Sequence, residues 1–150
     1  MEIVLDEAFP LLRTLLEGQL KEKTYRDRVH LLSPGETENR TDLVLSDRSF
    51  FPPFPETKAR LFIVPSDARG AVSSRRVLPA GMGHQDPVTF SSLREDRALL
   101  CLQKPVLFRR RLFEPQERWV KVDPFYSLFK NLAVQTALFL CDEIFGEGRE

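Results

Sequence analysis

Residues 123–146 read Asp-Pro-Phe-Tyr-Ser-Leu-Phe-Lys-Asn-Leu-Ala-Val-Gln-Thr-Ala-Leu-Phe-Leu-Cys-Asp-Glu-Ile-Phe-Gly, and they predict one long helix. Asp123 can accept hydrogen bonds from the first free amides of a helix. Pro124 suits the first helical position, where no N–H is needed. Gly146 supplies a left-handed stop. Both ends of the predicted helix are therefore marked in the sequence.

This helix is apolar on more than one side. The face that it would bury against its own domain consists of Phe125, Leu128, Phe129, Leu132, Thr136, Phe139 and Leu140. A second apolar face, with i, i+4, i+7, i+11 spacing, consists of Val134, Leu138, Cys141 and Phe145. A helix that is apolar nearly all round is either inside a large core or covered on its far side. Periodicity does not distinguish a cover made by the chain's own N-terminal helix or a loop from one made by a partner.

The rest of the chain predicts a second helix and several short strands. Apolar spacing favours an amphipathic helix over residues 6–23. Apolar runs bounded by turn residues predict strands at 29–32, 42–46, 61–64, 98–102, 106–113 and 119–122, with a further candidate at 87–90. The first two strands are expected to form one hairpin, and the strands at 106–113 and 119–122 another.

We therefore predict a single α+β domain over residues 1–150. Connections too short for repeated crossover helices favour a mainly antiparallel sheet of about five or six short strands. The N-terminal helix precedes this sheet, and the long C-terminal helix packs on one face of it. Residues 66–86 are expected to form a flexible loop, and residues 146–150 a disordered tail.

Charge and cysteine content restrict the partners and the compartment. Basic and acidic residues both number 22, so the formal net charge is +0. No overall field therefore attracts nucleic acid or an anionic membrane. Cys101 and Cys141 lie in apolar surroundings, which is typical of reduced core cysteines in a cytoplasmic protein. The acidic N-terminus is unlike a secretory signal, and charges interrupt the C-terminal helix, so no membrane span is expected.

No motif commits the chain to a reaction, a metal or a cofactor. His30 and His84 lie far apart, and neither has a second ligand at metal-binding spacing. His84 lies in a glycine-bracketed loop, where an exposed histidine without a chemical role is the expectation. Nucleophile-elbow, Walker and dinucleotide-binding motifs are absent from the sequence. We expect no cofactor and no metal, and the pattern favours a protein that is not an enzyme.

Two short patterns are similar to catalytic motifs. Asp42 with Glu56-Thr57-Lys58 resembles the Asp…Glu-x-Lys pattern of restriction-type nucleases, but here the last residues precede a strand instead of alternating within it. The surroundings of Cys101 look like the active-site region of ubiquitin-conjugating folds. The His-Pro-Asn element of those folds is missing, and no adjacent cation would activate the thiol. We therefore predict a structural cysteine at this position.

Residues 50–55 read Phe-Phe-Pro-Pro-Phe-Pro and predict an extended loop. Prolines lack an N–H and disfavour helical geometry at the preceding residue, so a helix or a central strand is excluded. The phenylalanines are expected to close the edge of the core. The alternative is that Phe51 and Phe54 dock into an aromatic-lined groove of a partner.

A run of three arginines lies in the predicted hairpin of residues 106–122. Arginine interleaved with aromatic rings suits single-stranded nucleic acid, because phosphates pair with arginine and bases stack on rings. The candidate surface consists of Arg109, Arg111, Trp119, Lys121, Arg75 and Arg76. Nearby carboxylates would partly neutralise it, so a solvated or partner-facing charged surface is the default expectation.

The sequence thus predicts a non-enzymatic interaction protein, or an assembly subunit of a larger complex. Its partner, either another protein or a second copy of this chain, would bind the second apolar face of the C-terminal helix (residues 134–145), with Phe51 and Phe54 as further contacts. The alternative is a nucleic-acid-binding module built on residues 106–122.

Overall fold

The structure, a computed structural model, describes residues 1–36, 40–48, 59–67 and 76–146. These residues form ten strands and two α-helices. In chain order the elements are β1 (Glu2–Asp6), α1 (Leu11–Leu20), β2 (His30–Leu32), β3 (Thr41–Ser46), β4 (Ala59–Pro65), β5 (Val77–Ala80), β6 (Val88–Leu93), β7 (Arg97–Leu102), β8 (Val106–Phe108), β9 (Arg111–Phe113), β10 (Gln116–Lys121) and α2 (Leu128–Phe145).

Eight of the strands form one mixed sheet, in the order β10-β7-β6-β5-β4-β3-β1-β2. All neighbours from β2 to β6 in that order pair in parallel. The β6–β7 and β7–β10 pairs are antiparallel. The prediction of a mainly antiparallel sheet of about five or six strands is therefore wrong.

The parallel pairing follows from continuous apolar runs. Leu43-Val44-Leu45 in β3 and Leu61-Phe62-Ile63-Val64 in β4 are buried at every position, and strands buried on both faces are typical of parallel sheets. The connections over 47–58 and 66–76 are about a dozen residues long, which is enough to return the chain for a parallel strand. These connections contain no repeated α-helices among the described residues, but they are long enough for the strands to pair in parallel.

Neither predicted hairpin forms. β2 and β3 lie on either side of β1 and both pair with it in parallel. Residues 106–113 fold back on themselves as a separate two-stranded sheet of β8 and β9, and β10 pairs with β7. β1 itself was not predicted, because its apolar run Ile3-Val4-Leu5 lies directly before the expected start of the N-terminal helix.

α1 is shorter than the predicted helix over 6–23. It begins after Pro10, and the Glu7 carboxylate accepts hydrogen bonds from the amides of Leu12 (2.7 Å) and Arg13 (3.0 Å). β5 lies within residues 66–86, so part of the predicted flexible loop is a mostly buried strand. Residues 68–75 of that loop and residues 147–150 of the predicted tail lie outside the described residues.

α2 ends as predicted and begins later than predicted. Gly146 adopts a left-handed conformation (φ 80°) at its C-terminal end. At its N-terminal end, the Ser127 hydroxyl accepts a hydrogen bond from the backbone amide of Lys130 (3.2 Å). The Asp123 carboxylate instead accepts a hydrogen bond from the amide of Phe125 (3.0 Å), in a turn that precedes the helix. Phe125 therefore lies outside the helix.

α2 lies at the centre of the fold. Every residue from 131 to 142 is buried, and the helix contacts α1 and the strands β3 to β7. The C-terminal end of α1 and the residues that follow it approach β10 at one edge of the sheet. Lys121 Nζ lies 3.6 Å from Glu22 Oε1, and Gln135 of α2 donates to Gln19 Oε1 and to the Lys121 carbonyl (2.6 Å).

The other face of the sheet carries a second, smaller apolar cluster. Its buried members are Val4, Val44, Ala59, Phe62, Val64 and Val77. They all belong to the parallel strands, whereas exposed residues are frequent in the edge strand β10. The second apolar cluster is therefore confined to the parallel part of the sheet.

The turn between β8 and β9 is strained. Arg109 and Arg110 adopt positive φ angles of 53° and 65°, and this conformation costs a side-chain-bearing residue about 1–2 kcal/mol. We expect Arg110→Gly to raise the free energy of unfolding by about 1 kcal/mol in urea denaturation, because glycine adopts positive φ freely. Arg110→Lys retains the strain and should leave the stability unchanged. A glycine variant less stable than the wild type would contradict this explanation.

Candidate protein interface

The predicted second face of α2 contacts the protein's own elements. Val134 and Cys141 are 0% exposed and Leu138 is 3% exposed, and all three belong to the main apolar cluster with residues of α1 and the sheet. The half-buried ring of Phe145 stacks on Tyr25, with 4.9 Å between the ring centroids. The chain's own elements thus bury this face except for part of Phe145.

Charged residues close the C-terminal end of α2. Asp142 is buried and accepts hydrogen bonds from Tyr25 Oη (2.6 Å), Lys23 Nζ (3.2 Å) and Arg118 Nη1 (3.3 Å). The same Arg118 reaches Glu143 with its second nitrogen (2.7 Å). Across the described residues, every buried side-chain nitrogen and oxygen atom has a hydrogen-bond partner. The cluster therefore joins α2 to β10 and to the segment after α1.

Both cysteines are free and buried. Desolvation, with a smaller contribution from the charge of Asp142, raises the pKa of Cys141 to about 12. That thiol therefore stays protonated at neutral pH and is a poor nucleophile. Cys101 donates to Ser91 Oγ (3.1 Å). Within the described part of the chain, no group of three or more histidine, cysteine and carboxylate side chains is placed to hold a metal.

The predicted nucleic-acid surface is divided between two parts of the fold. Arg109 and Arg111 belong to the β8–β9 hairpin, where Arg109 pairs with a carboxylate of β3 (3.8 Å) and Arg111 with one near the end of α2 (3.1 Å). Trp119 and Lys121 lie on β10, which pairs with β7. Nucleic-acid binding stays a prediction, and its four described side chains on these elements come from two different pairs of strands.

Three further predicted contact residues, Phe51, Phe54 and Arg75, lie outside the described residues. Arg76 is described and half-buried. Its backbone carbonyl accepts the amide of Phe62 (2.6 Å), which anchors the start of β5 beside β4.

A groove of about 260 Å³ lies where the carboxyl ends of β4 and β5 meet the first turns of α2. Its apolar lining consists of Pro65, Ala80, Met82, Leu128, Phe129 and Leu132. Gly81 also lines it, and a methyl group at that position would collide with the side chains of Ser66 and Asp86. The carboxyl ends of parallel strands are the usual ligand-binding edge of open α/β sheets.

Two exposed apolar side chains line this groove, Met82 at 48% exposed and Leu128 at 46% exposed. Phe125, three residues before Leu128 in the chain, is 95% exposed. Helical periodicity over 123–146 places Phe125 on the buried face, so sequence reasoning missed it. The signal that could have found it is Ser127, which is a second good helix cap and which excludes Phe125 from the helix.

The polar residues of the groove are acidic or neutral. Ser66 and Asp67 lie in its lining, and Asp67 is exposed. Lys130, on the next turn of α2, already pairs with Asp47 (3.6 Å). Among the ion pairs between described residues, none involves Asp67. A ligand that enters the groove therefore meets an apolar floor and a negative charge at the rim.

Comparison with protein families, with characterised proteins and with solved structures finds no match for this chain. Neither of the helices in the described ranges is long and apolar enough to cross a lipid bilayer. The groove and the exposed edge strand β10 are the two surfaces of the described residues from which a function can be inferred.

Proposed function

We propose that the protein is a non-enzymatic assembly subunit of the cytoplasm and that it holds a second protein in the groove between β4, β5 and α2. The observation that carries the proposal is that Met82 and Leu128 line the groove and are exposed, while Phe125, three residues before Leu128 in the chain, is 95% exposed. Aromatic side chains dominate the binding energy of protein interfaces when a partner buries them. The free, buried cysteines fit a reducing compartment.

The exposed lining of the groove favours a protein partner over a metabolite. The groove's volume of about 260 Å³ is near the lower limit of small-molecule pockets, about 300–1,000 Å³, but such pockets enclose most of their ligand, whereas exposed apolar residues line this groove. A groove of this kind accommodates one apolar side chain of a partner, while Phe125 packs against the partner's surface. We infer that the partner presents an aliphatic or aromatic residue.

Charge specifies the partner further. Asp67 stands at the groove without an ion pair among the described residues, and like charges at an interface are unfavourable whereas complementary charges guide association. The partner segment is therefore expected to carry a lysine or arginine next to its apolar anchor.

Selection of random peptides displayed on phage tests this proposal with purified protein. We expect enriched peptides to contain an aromatic or aliphatic residue flanked by lysine or arginine. Phe125→Ser combined with Leu128→Ser should weaken binding of these peptides at least about tenfold, because interface anchors typically contribute more than about 1.4 kcal/mol. Fluorescence anisotropy of labelled peptides gives the dissociation constants.

The matched control is Phe9→Ser, because Phe9 is 73% exposed and does not line the groove. Peptide affinity should be unchanged in this variant, and circular dichroism should show that all variants are folded. Peptides that bind the Phe125 and Leu128 variant as tightly as the wild type, or a selection that enriches no sequence, would refute the proposed interface.

A further inference from the structure

β10 forms one edge of the eight-stranded sheet, and part of its backbone has no partner strand among the described residues. At the end of the β10–β7 ladder, the amide of Val122 donates to the carbonyl of Asp96 (2.9 Å). Hydrogen-bonded and non-hydrogen-bonded pairs alternate along an antiparallel ladder. The backbone N–H and C=O groups of the even-numbered residues of β10 therefore point towards β7. Those of Glu117, Trp119 and Lys121 point away from β7, towards the open edge of the sheet.

A side chain of α2 supports this assignment. Gln135 Nε2 donates to the carbonyl of Lys121 (2.6 Å), which therefore points away from β7 and keeps a second lone pair. Within the described residues, no hydrogen bond outside the β10–β7 ladder engages the backbone of Glu117 or Trp119. Such an edge is a template for a further strand.

We propose that β10 pairs with β10 of a second copy of this chain, antiparallel and centred on Trp119. Trp119 then lies opposite Trp119 of the second copy, and Glu117 lies opposite Lys121 of the second copy at both ends. This register pairs odd-numbered residues with odd-numbered residues, as the outward backbone groups require. The two eight-stranded sheets join into one continuous sheet across a two-fold axis.

Charge complementarity selects this arrangement over its competitors. The same face of the strand carries the side chains of Glu117, Trp119 and Lys121. The proposed antiparallel register therefore places Glu117 of each copy opposite Lys121 of the other copy, which gives two pairs of opposite charge. A parallel, in-register pair would instead set each charge against its own copy. There are two neighbouring antiparallel registers. The one centred on Arg118 brings in Pro115, which has no N–H to donate, and the one centred on Val120 sets Glu117 opposite Asp123, which has the same charge. The existing contact of Lys121 with Glu22 joins side chains that are 68% and 66% exposed, and such pairs exchange partners readily.

Trp119 reports directly on the proposed contact. It is the only tryptophan of the chain, it is 41% exposed, and the guanidinium of Arg94 lies 5.0 Å from its ring centroid. Sedimentation of the full chain over a wide concentration range should show a reversible monomer–dimer equilibrium. Tryptophan emission should move to shorter wavelength over the same range, because dimerisation removes the ring from water.

Charge reversal tests the register. Glu117→Lys and Lys121→Glu should each raise the dissociation constant at least about tenfold, because each places like charges opposite each other at two positions. An equimolar mixture of the two variants should associate, because every pair between the two different chains is again opposite in charge. The double variant, with both reversals in one chain, should dimerise by itself.

Several outcomes would overturn the proposal: wild-type protein that stays monomeric at every concentration, single reversals that dimerise like the wild type, or reversals that neither the mixture nor the double variant rescues. Circular dichroism and urea unfolding establish that each variant is folded. The proposal is independent of the groove. The Phe125 and Leu128 variant should therefore dimerise normally, and the charge reversals should bind the selected peptides normally.

Discussion

Replacement of Leu138 by glutamate is expected to lower the free energy of unfolding by about 4 kcal/mol or more, a large part of the roughly 5–15 kcal/mol that stabilises a typical domain. Leu138 is 3% exposed and lies in the middle of α2 within the main apolar cluster. A carboxylate there would be buried among apolar neighbours without a compensating charge. Leu138→Ala, which only removes packing, should cost about 2–5 kcal/mol. Urea denaturation followed by circular dichroism measures both values.

The control is the same substitution at the other end of the same helix. Leu128 is 46% exposed and lies in the first turn of α2, where a negative charge interacts favourably with the helix dipole. Leu128→Glu should change the stability by less than about 0.5 kcal/mol. Equal stability of the Leu138 and Leu128 variants would mean that α2 is a surface helix with a free second face, contrary to the fold described above.

Removal of the Asp142 carboxylate should have the second largest effect. Asp142→Ala leaves the Tyr25 hydroxyl, Lys23 and one nitrogen of Arg118 without their acceptor. Loss of one partner from a buried charged pair costs about 3–5 kcal/mol. We expect about 3 kcal/mol, because the Lys23 and Arg118 side chains keep about a quarter of their exposure and can turn to solvent. A small opposing gain comes from the better helix propensity of alanine and from removing an acidic residue near the helix C-terminus.

A solvent-exposed ion pair provides the comparison. Glu22→Ala breaks the contact of Glu22 with Lys121, whose side chains are 66% and 68% exposed, and should cost less than about 0.5 kcal/mol. A double-mutant cycle of Asp142→Ala with Tyr25→Phe should give a coupling energy of about 1 kcal/mol or more, since the two groups share a hydrogen bond. If Asp142→Ala and Glu22→Ala had similar effects, the buried cluster would not hold α2 in place.

The positions of most strands follow from the sequence, but their pairing does not. The apolar runs of β3, β4 and β7 predict strands at the observed places. The choice between parallel and antiparallel pairing depended on β1, which inserts between β2 and β3. Ile3-Val4-Leu5 is a continuous apolar run like those of β3 and β4, and such runs together indicate a parallel sheet buried on both faces.

The groove could not be predicted, because it depends on where α2 begins. The amide of Asp123 donates to Asn131 Oδ1 (2.8 Å), and Asn131 Nδ2 donates to the carbonyls of Asp123 (2.8 Å) and Ser127 (3.1 Å). This buried amide holds residues 123–127 in a non-helical conformation and leaves Phe125 in solvent. Local capping signals fit Asp123 and Ser127 equally well, so only the tertiary contact of Asn131 decides between them.

The central position of α2 also has a consequence for how the protein is made. The ribosome releases every strand of the sheet before it releases α2, so the concave side of the emerging sheet has no helix to pack against for most of synthesis. Long-range pairings of this kind form slowly, and unfinished apolar sheets aggregate. The nascent chain should therefore depend on chaperones that shield β-rich intermediates, and its tertiary structure should form only after residues 128–145 have left the exit tunnel.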